Sequence, residues 1–115
     1  MSAKYWQKGE TLDYTATAAV SVGDIVSLNT RIGVAGNDIA AGETGAVNVE
    51  GVFEMPKATG VVTLGAAVYW DAEAKNITTV ASTGSGDTKK DNIPAGYAVA
   101  AAASADATVL VKLLG

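Results

Sequence analysis

A chain of 115 residues that is 49% hydrophobic and 17% charged, with 13 glycines and 2 prolines, has the composition of one folded domain with a modest core; it speaks against global disorder, and the chain is too short for a second domain with a core of its own. It lacks cysteine and histidine, which removes disulfides, thiolate nucleophiles, Ser-His and Cys-His catalytic pairs, and the nitrogen and sulfur ligands of zinc and copper sites. A formal charge of -4 and a pI near 4.5 speak against a nucleic-acid surface, because neutralising phosphates takes clustered lysine and arginine.

The opening MSAKYWQKGE has no apolar signal core and no run of about 18 apolar residues comes after it, so synthesis in the cytosol without membrane insertion is expected. Residues 1–10 read as an amino-terminal arm. Large rings have little reason to sit on a frayed tail, so Tyr5, Trp6 and nearby Tyr14 imply docking, either on the chain's own domain or on a neighbouring subunit. Thr11 to Ala19 alternates weakly, as a strand does. Asp24 to Leu28 and Ile32 to Ala35, separated by Asn29-Thr30-Arg31, predict a hairpin. Ile39 to Gly42 leads through a turn into a strand over Ala46 to Met55, which Pro56 ends because it lacks a backbone donor.

Further strands are expected at Val61 to Leu64, Ala67 to Trp70 and Asn76 to Val80. Residues 81–92, ASTGSGDTKKDN, have the composition of an exposed loop. Beyond it, the Ala-rich stretch 98–105 is a good helix on propensity. The β-branched ending Thr108 to Leu114 favours instead a strand, a turn and a final strand. The chain also repeats itself. VGDIVSLN at 22–29 is echoed by LGAAVYWD at 64–71, Gly33-Val34-Ala35 by Gly96-Tyr97-Ala98, and Ala46 to Val49 by Thr108 to Val111, with the polar loop inserted in the second copy. Together these features predict an all-β fold: a small sandwich or barrel of short, mainly antiparallel strands, with a pseudo-repeat and little helix, spanning 1–115 as a single domain.

Candidate chemistry is sparse. Gly60 and Gly65 have the spacing of a phosphate-binding loop, but Ala66 and Ala67 stand where its lysine and hydroxyl belong. Asp71, Glu73, Asp87 and Asp91 lack the calcium-loop pattern and read as surface charges. Glu50 and Glu54, on one strand, lie about 13 Å apart at roughly 3.3 Å per residue. Paired glycosidase carboxylates need roughly 5 to 9.5 Å, and no histidine is present to assist. On that same strand Val52 is the one apolar residue among outward carboxylates, which marks it as a contact. Adjacent Tyr69 and Trp70 point to opposite faces, one into the core and the other to the surface, to a subunit contact, or to a bound carbohydrate or other ligand. No catalytic residue, metal ligand or cofactor site emerges.

The order of segments, KYWQKGETLDYTA (4–16), SVGDIV (21–26), IGVA (32–35), VEGVFEMPKA (49–58), GAAVYWDAEAKNITT (65–79) and ATVLVKL (107–113), resembles the tailed-phage capsid cement, or decoration, proteins. EGVFEMPK and VYWDAEAKNITT carry most of the likeness. Members often bear a recombinase-like label, which the failed phosphate-loop match contradicts here. The resemblance implies a non-enzymatic virion protein, without cofactor, that binds the outside of the phage head and bridges major capsid subunits. It also implies a homo-oligomer, a trimer ahead of a dimer, with no nucleic-acid or membrane partner. Tyr5, Trp6, Tyr14, Val52 and Trp70 are the expected subunit or capsid contacts, and a ligand- or carbohydrate-binding barrel is the alternative.

Overall fold

The computed structural model describes residues 2–113. Its strands are β1 (Thr11–Thr15), β2 (Ile25–Ser27), β3 (Ile32–Ala35), β4 (Thr44–Asn48), β5 (Val52–Pro56), β6 (Ala67–Asp71), β7 (Asn76–Thr78), β8 (Ser82–Thr83), β9 (Lys90–Asp91), β10 (Ile93–Ala98) and β11 (Thr108–Leu113). The only helical piece among the described residues is one 3-10 turn at Gly86–Thr88, so none of their helices is long and apolar enough to cross a membrane. The fold is all-β, as the spacing of short β-branched runs predicts. In β11, TVLVKL, buried and exposed residues alternate strictly, which is the period of a strand with one face on a core.

Four strands form one antiparallel sheet in the order β1-β4-β3-β2, and five form a second in the order β5-β11-β10-β6-β7. The two orders coincide when β1 is matched to β5, β2 to β6, β3 to β10 and β4 to β11, so the sequence echo is a true structural repeat. Its joints agree in detail. Gly23 N–H donates to Ala35 O (2.8 Å) and Ala35 N–H to Asp24 O (2.9 Å). In the second copy Gly65 N–H donates to Ala98 O (2.8 Å) and Ala98 N–H to Ala66 O (3.0 Å). The isolated bridges Val20–Ile39 and Val62–Ala102 also correspond. Pairing of Ala35 with Val47 and of Ala98 with Val111 makes Val47 the counterpart of Val111. The sequence echo set it against Val109, a slip of two residues that keeps the same face of the strand.

The repeats diverge after their second strand. Between β2 and β3 the chain turns at once, through Asn29 in a left-handed conformation (φ 73°). Between β6 and β10 it instead returns as β7, which covers the edge of β6. The far edge of β7 then meets the end of β5, where Ala58 N–H donates to Ile77 O (2.8 Å) and Lys57 and Ile77 form a parallel bridge. The second sheet thereby closes on itself as a small barrel. Its interior holds the main core, a cluster of thirteen buried residues: eleven from the second repeat, among them Met55, Val68, Ile77, Val111 and Leu113, together with Ile32 and Val34 of the first sheet. The first sheet's other face has a much smaller cluster, buried Val26, Val47 and Val49 with partly buried Tyr14, Val20 and Leu28 against it.

Three expectations are corrected. The single strand over Ala46 to Met55 is two strands in different sheets, because the chain crosses between repeats at Glu50-Gly51, with Gly51 at φ 114°. Val47 and Val49 therefore belong to the small core, whereas Met55 belongs to the large one and Phe53 packs against it. Glu50 does not lie on a strand with Glu54, so the 13 Å spacing does not describe them. Val61 to Leu64 is not a strand: only Val62 bridges, to Ala102, and Val61 and Leu64 are exposed. Within 81–92, β8 and β9 pair around the 3-10 turn, and no residue of this hairpin is buried apart from Asn92 at its end.

Candidate interaction surface

The barrel presents an outward face that strand alternation fills with mixed residues. Across it run Val52, Lys112, Tyr97 and Ala67 in one cross-strand row, with Glu54 opposite Leu110 in the next. Val52 is 51% exposed, Tyr97 42% and Leu110 40%, too much for residues that serve only their own core. Lys112 lays its ammonium 5.9 Å from the Tyr97 ring centre, a cation–π contact between neighbours in the row. Two apolar side chains and an aromatic ring on a hydrogen-bonded sheet, with Glu54 and Lys112 beside them, have the mixed character of a protein contact.

The arm is the second exposed feature. Residues 2–9 form no strand, and Tyr5 and Trp6 are 83% and 87% exposed, so neither ring docks on its own chain. Lys8 pairs with Glu10 (3.0 Å), and that hydrogen bond holds its pKa above the ordinary lysine value. Tyr14, by contrast, packs against the small core. Trp70 is 7% exposed and sits opposite Ile77 inside the barrel, which leaves little of its indole for a sugar to stack on. Its remaining surface helps wall a groove of about 460 Å³ beside β2, with Ile25, Pro56 and Ala72. Tyr69, its neighbour, is half-buried on the outward face. The structure thus leaves Tyr5, Trp6 and Val52 open and turns Tyr14 and Trp70 largely inward. Tyr97, Leu110 and Lys112 were not singled out from sequence, although the alternation of TVLVKL places Leu110 and Lys112 outward.

The carboxylates do not converge. Among the described residues no three or more of them gather to hold a metal ion. Asp71 and Glu73 instead grip Lys90 at 2.7 and 2.8 Å, pinning the β8–β9 hairpin to the β6–β7 turn. Asp71 also accepts the N–H groups of Glu73 (3.0 Å) and Ala74 (3.1 Å). The Lys90 hydrogen bond, then the Ala74 N–H, holds its carboxyl below the usual range, while Lys90 is raised by Asp71 first and then Glu73. Lys57 is buried and donates to the carbonyls of Ala58 (2.9 Å) and Ser104 (3.1 Å), tying the Ala-rich loop to the end of β5. These are structural ties rather than acid–base machinery.

Residues 6–113 match the family described as phage cement protein. No curated protein and no solved structure matches the chain. With nearly the whole described fold inside that match, the chain belongs to the phage cement protein family and is a non-enzymatic structural protein of the phage virion.

Proposed function

We propose that the protein binds the outer surface of an assembled phage head as a homo-oligomer and bridges neighbouring major capsid subunits through the outward face of its barrel. The reading is supported above all by the exposed row of Val52 and Tyr97 beside Leu110 within a family of cement proteins. The physics suits the task. An oligomer that engages several capsid subunits converts modest contacts into firm retention through effective concentration. A ligand that binds only the closed lattice stabilises it by mass action against the pressure of packaged DNA. The acidic chain would have little attraction for that DNA while it waits in the host cytoplasm.

Purified protein mixed with mature heads stripped of decoration is expected to co-sediment with them at micromolar concentration. Val52→Glu should lower retention at least tenfold, by burying an unpaired charge in the contact. Its unfolding free energy should stay within about 0.5 kcal/mol of the parent, because Val52 is on the surface. Heads that sediment alone, or retention unchanged by Val52→Glu, would sink this assignment of the face.

A further inference from the structure

We propose that the amino-terminal arm of one copy pairs as an added strand with the open edge of β2 in a second copy. The inference rests on the homo-oligomer reading above and specifies how the copies join.

The repeat itself reveals the open place. In the second sheet the edge of β6 is covered by β7, with Tyr69 opposite Thr78 and Trp70 opposite Ile77. In the first sheet β2, the counterpart of β6, is the terminal strand, and among the described residues no strand pairs with it in the place of β7. Asp24 O and Leu28 N–H bond into the β3 side, to Ala35 and Arg31, so antiparallel alternation directs the N–H and C=O of Ile25 and Ser27 away from β3 to the open edge. The groove walled by Ile25, Pro56, Trp70 and Ala72 runs along that edge. An uncovered edge of this kind is a template for another strand.

The small core is unfinished on the same side. It buries three residues where the main core buries thirteen, and Leu28, which corresponds to Trp70, is only partly buried. In the barrel the residue opposite Trp70 is the fully buried Ile77. A strand laid on β2 would put one side chain in the equivalent place, over Leu28 and Val26. The arm has that side chain. Residues 2–9 span roughly 26 Å when extended, they pair with no described strand of their own chain, and as a strand they would put Trp6 on one face with Lys4 and Lys8 and turn Tyr5 and Gln7 to the other.

Polarity and charge select a second copy as the source. The arm leaves from β1, at the opposite edge of the sheet from β2, so each copy offers a strand at one edge and an open place at the other. Such a head-to-tail contact propagates from copy to copy and ends only when a ring closes. Lys4 and Lys8 are the only charged residues before Glu10, leaving six basic and twelve acidic residues, a formal -6, on the rest of the chain. A basic arm is thus drawn to the acidic body of its neighbour.

The chain has no cysteine, so introduced thiols are unique. Full-length Gln7→Cys and Ser27→Cys, which leave Trp6 intact, would be mixed and treated with a short bismaleimide. The expected product is a covalent pair of chains, twice 11.5 kDa, in the mixture and not with Ser27→Cys alone. In parallel, sedimentation equilibrium of full-length Trp6→Ala should show association weakened tenfold or more. A monomeric parent protein, a mixture that yields no covalent pair, a chain carrying both thiols that links only within itself, or an arm thiol that links only to capsid subunits would each overturn the arm exchange. Head co-sedimentation is read separately: a monomer that still binds heads refutes this contact and leaves the capsid-binding reading standing.

Discussion

Gly96 lies in the left-handed half of backbone space at φ 150°, beside the register shift between β10 and β6. A Cβ built there would overlap the carbonyl of Lys112 on β11, backbone that cannot swing aside. Gly96→Ala is therefore expected to destabilise by about 3 kcal/mol or more, read as a lowered urea midpoint, because strain and a displaced strand add. Ile77→Ala, at a fully buried site that also closes the barrel, should cost about 2 to 5 kcal/mol. Lys57→Met keeps the buried stem but takes the ammonium donor from the Ala58 carbonyl and leaves the Ser104 carbonyl only the longer Gly60 N–H (3.3 Å), and about 1 to 3 kcal/mol should go with it. The Asp71–Lys90 tie adds a pH signature. Since Asp71 is depressed in the folded protein, its contribution is present above the ordinary carboxylate value of about 3.9 and is lost as pH falls through the folded value. Lys90, raised, contributes fully below about 10.4 and loses its share as pH rises through its folded value. The difference in thermal midpoint between the parent and Asp71→Asn should accordingly be constant at neutral pH and shrink at both extremes.

At the scale of elements, the hairpin of β2 and β3 was legible because two β-branched runs flank three turn residues, and local chemistry alone decides such a structure. The break between β4 and β5 was not. GAVNVEGVFEM alternates well enough to pass for one strand, and only the need to fill two separate cores makes Gly51 a crossing rather than a strand residue. Polar composition likewise marked 81–92 as exposed while concealing its two short strands, which are tied to the rest of the fold where Lys90 reaches Asp71 and Glu73 outside the segment. VVTL at 61–64 misled for the opposite reason. Its propensity is that of a strand, yet the only partner in reach is the single bridge at Ala102, and without a ladder propensity does not make a strand.

For the molecule as a whole, the repeat ties fold to function. Two sheets of one strand order share the main core, yet only the second is closed, by β7, and the first keeps an edge and an arm for others to use. The repeat, the all-β class and the cement-protein likeness could be read from the order of residues, because strand periodicity, turn residues and short motifs are local properties that neighbours along the chain impose. The absence of histidine and cysteine removed most catalytic chemistry on the same footing. Which faces remain open could not be read that way. Trp70 and Trp6 are the same amino acid, and one closes a core while the other stands in solvent, because burial depends on whether a distant strand such as β7 arrives to cover it. Leu110 and Val111 are adjacent branched apolar residues separated only by the pleat, and the barrel's closure alone decides that Val111 is core and Leu110 is surface.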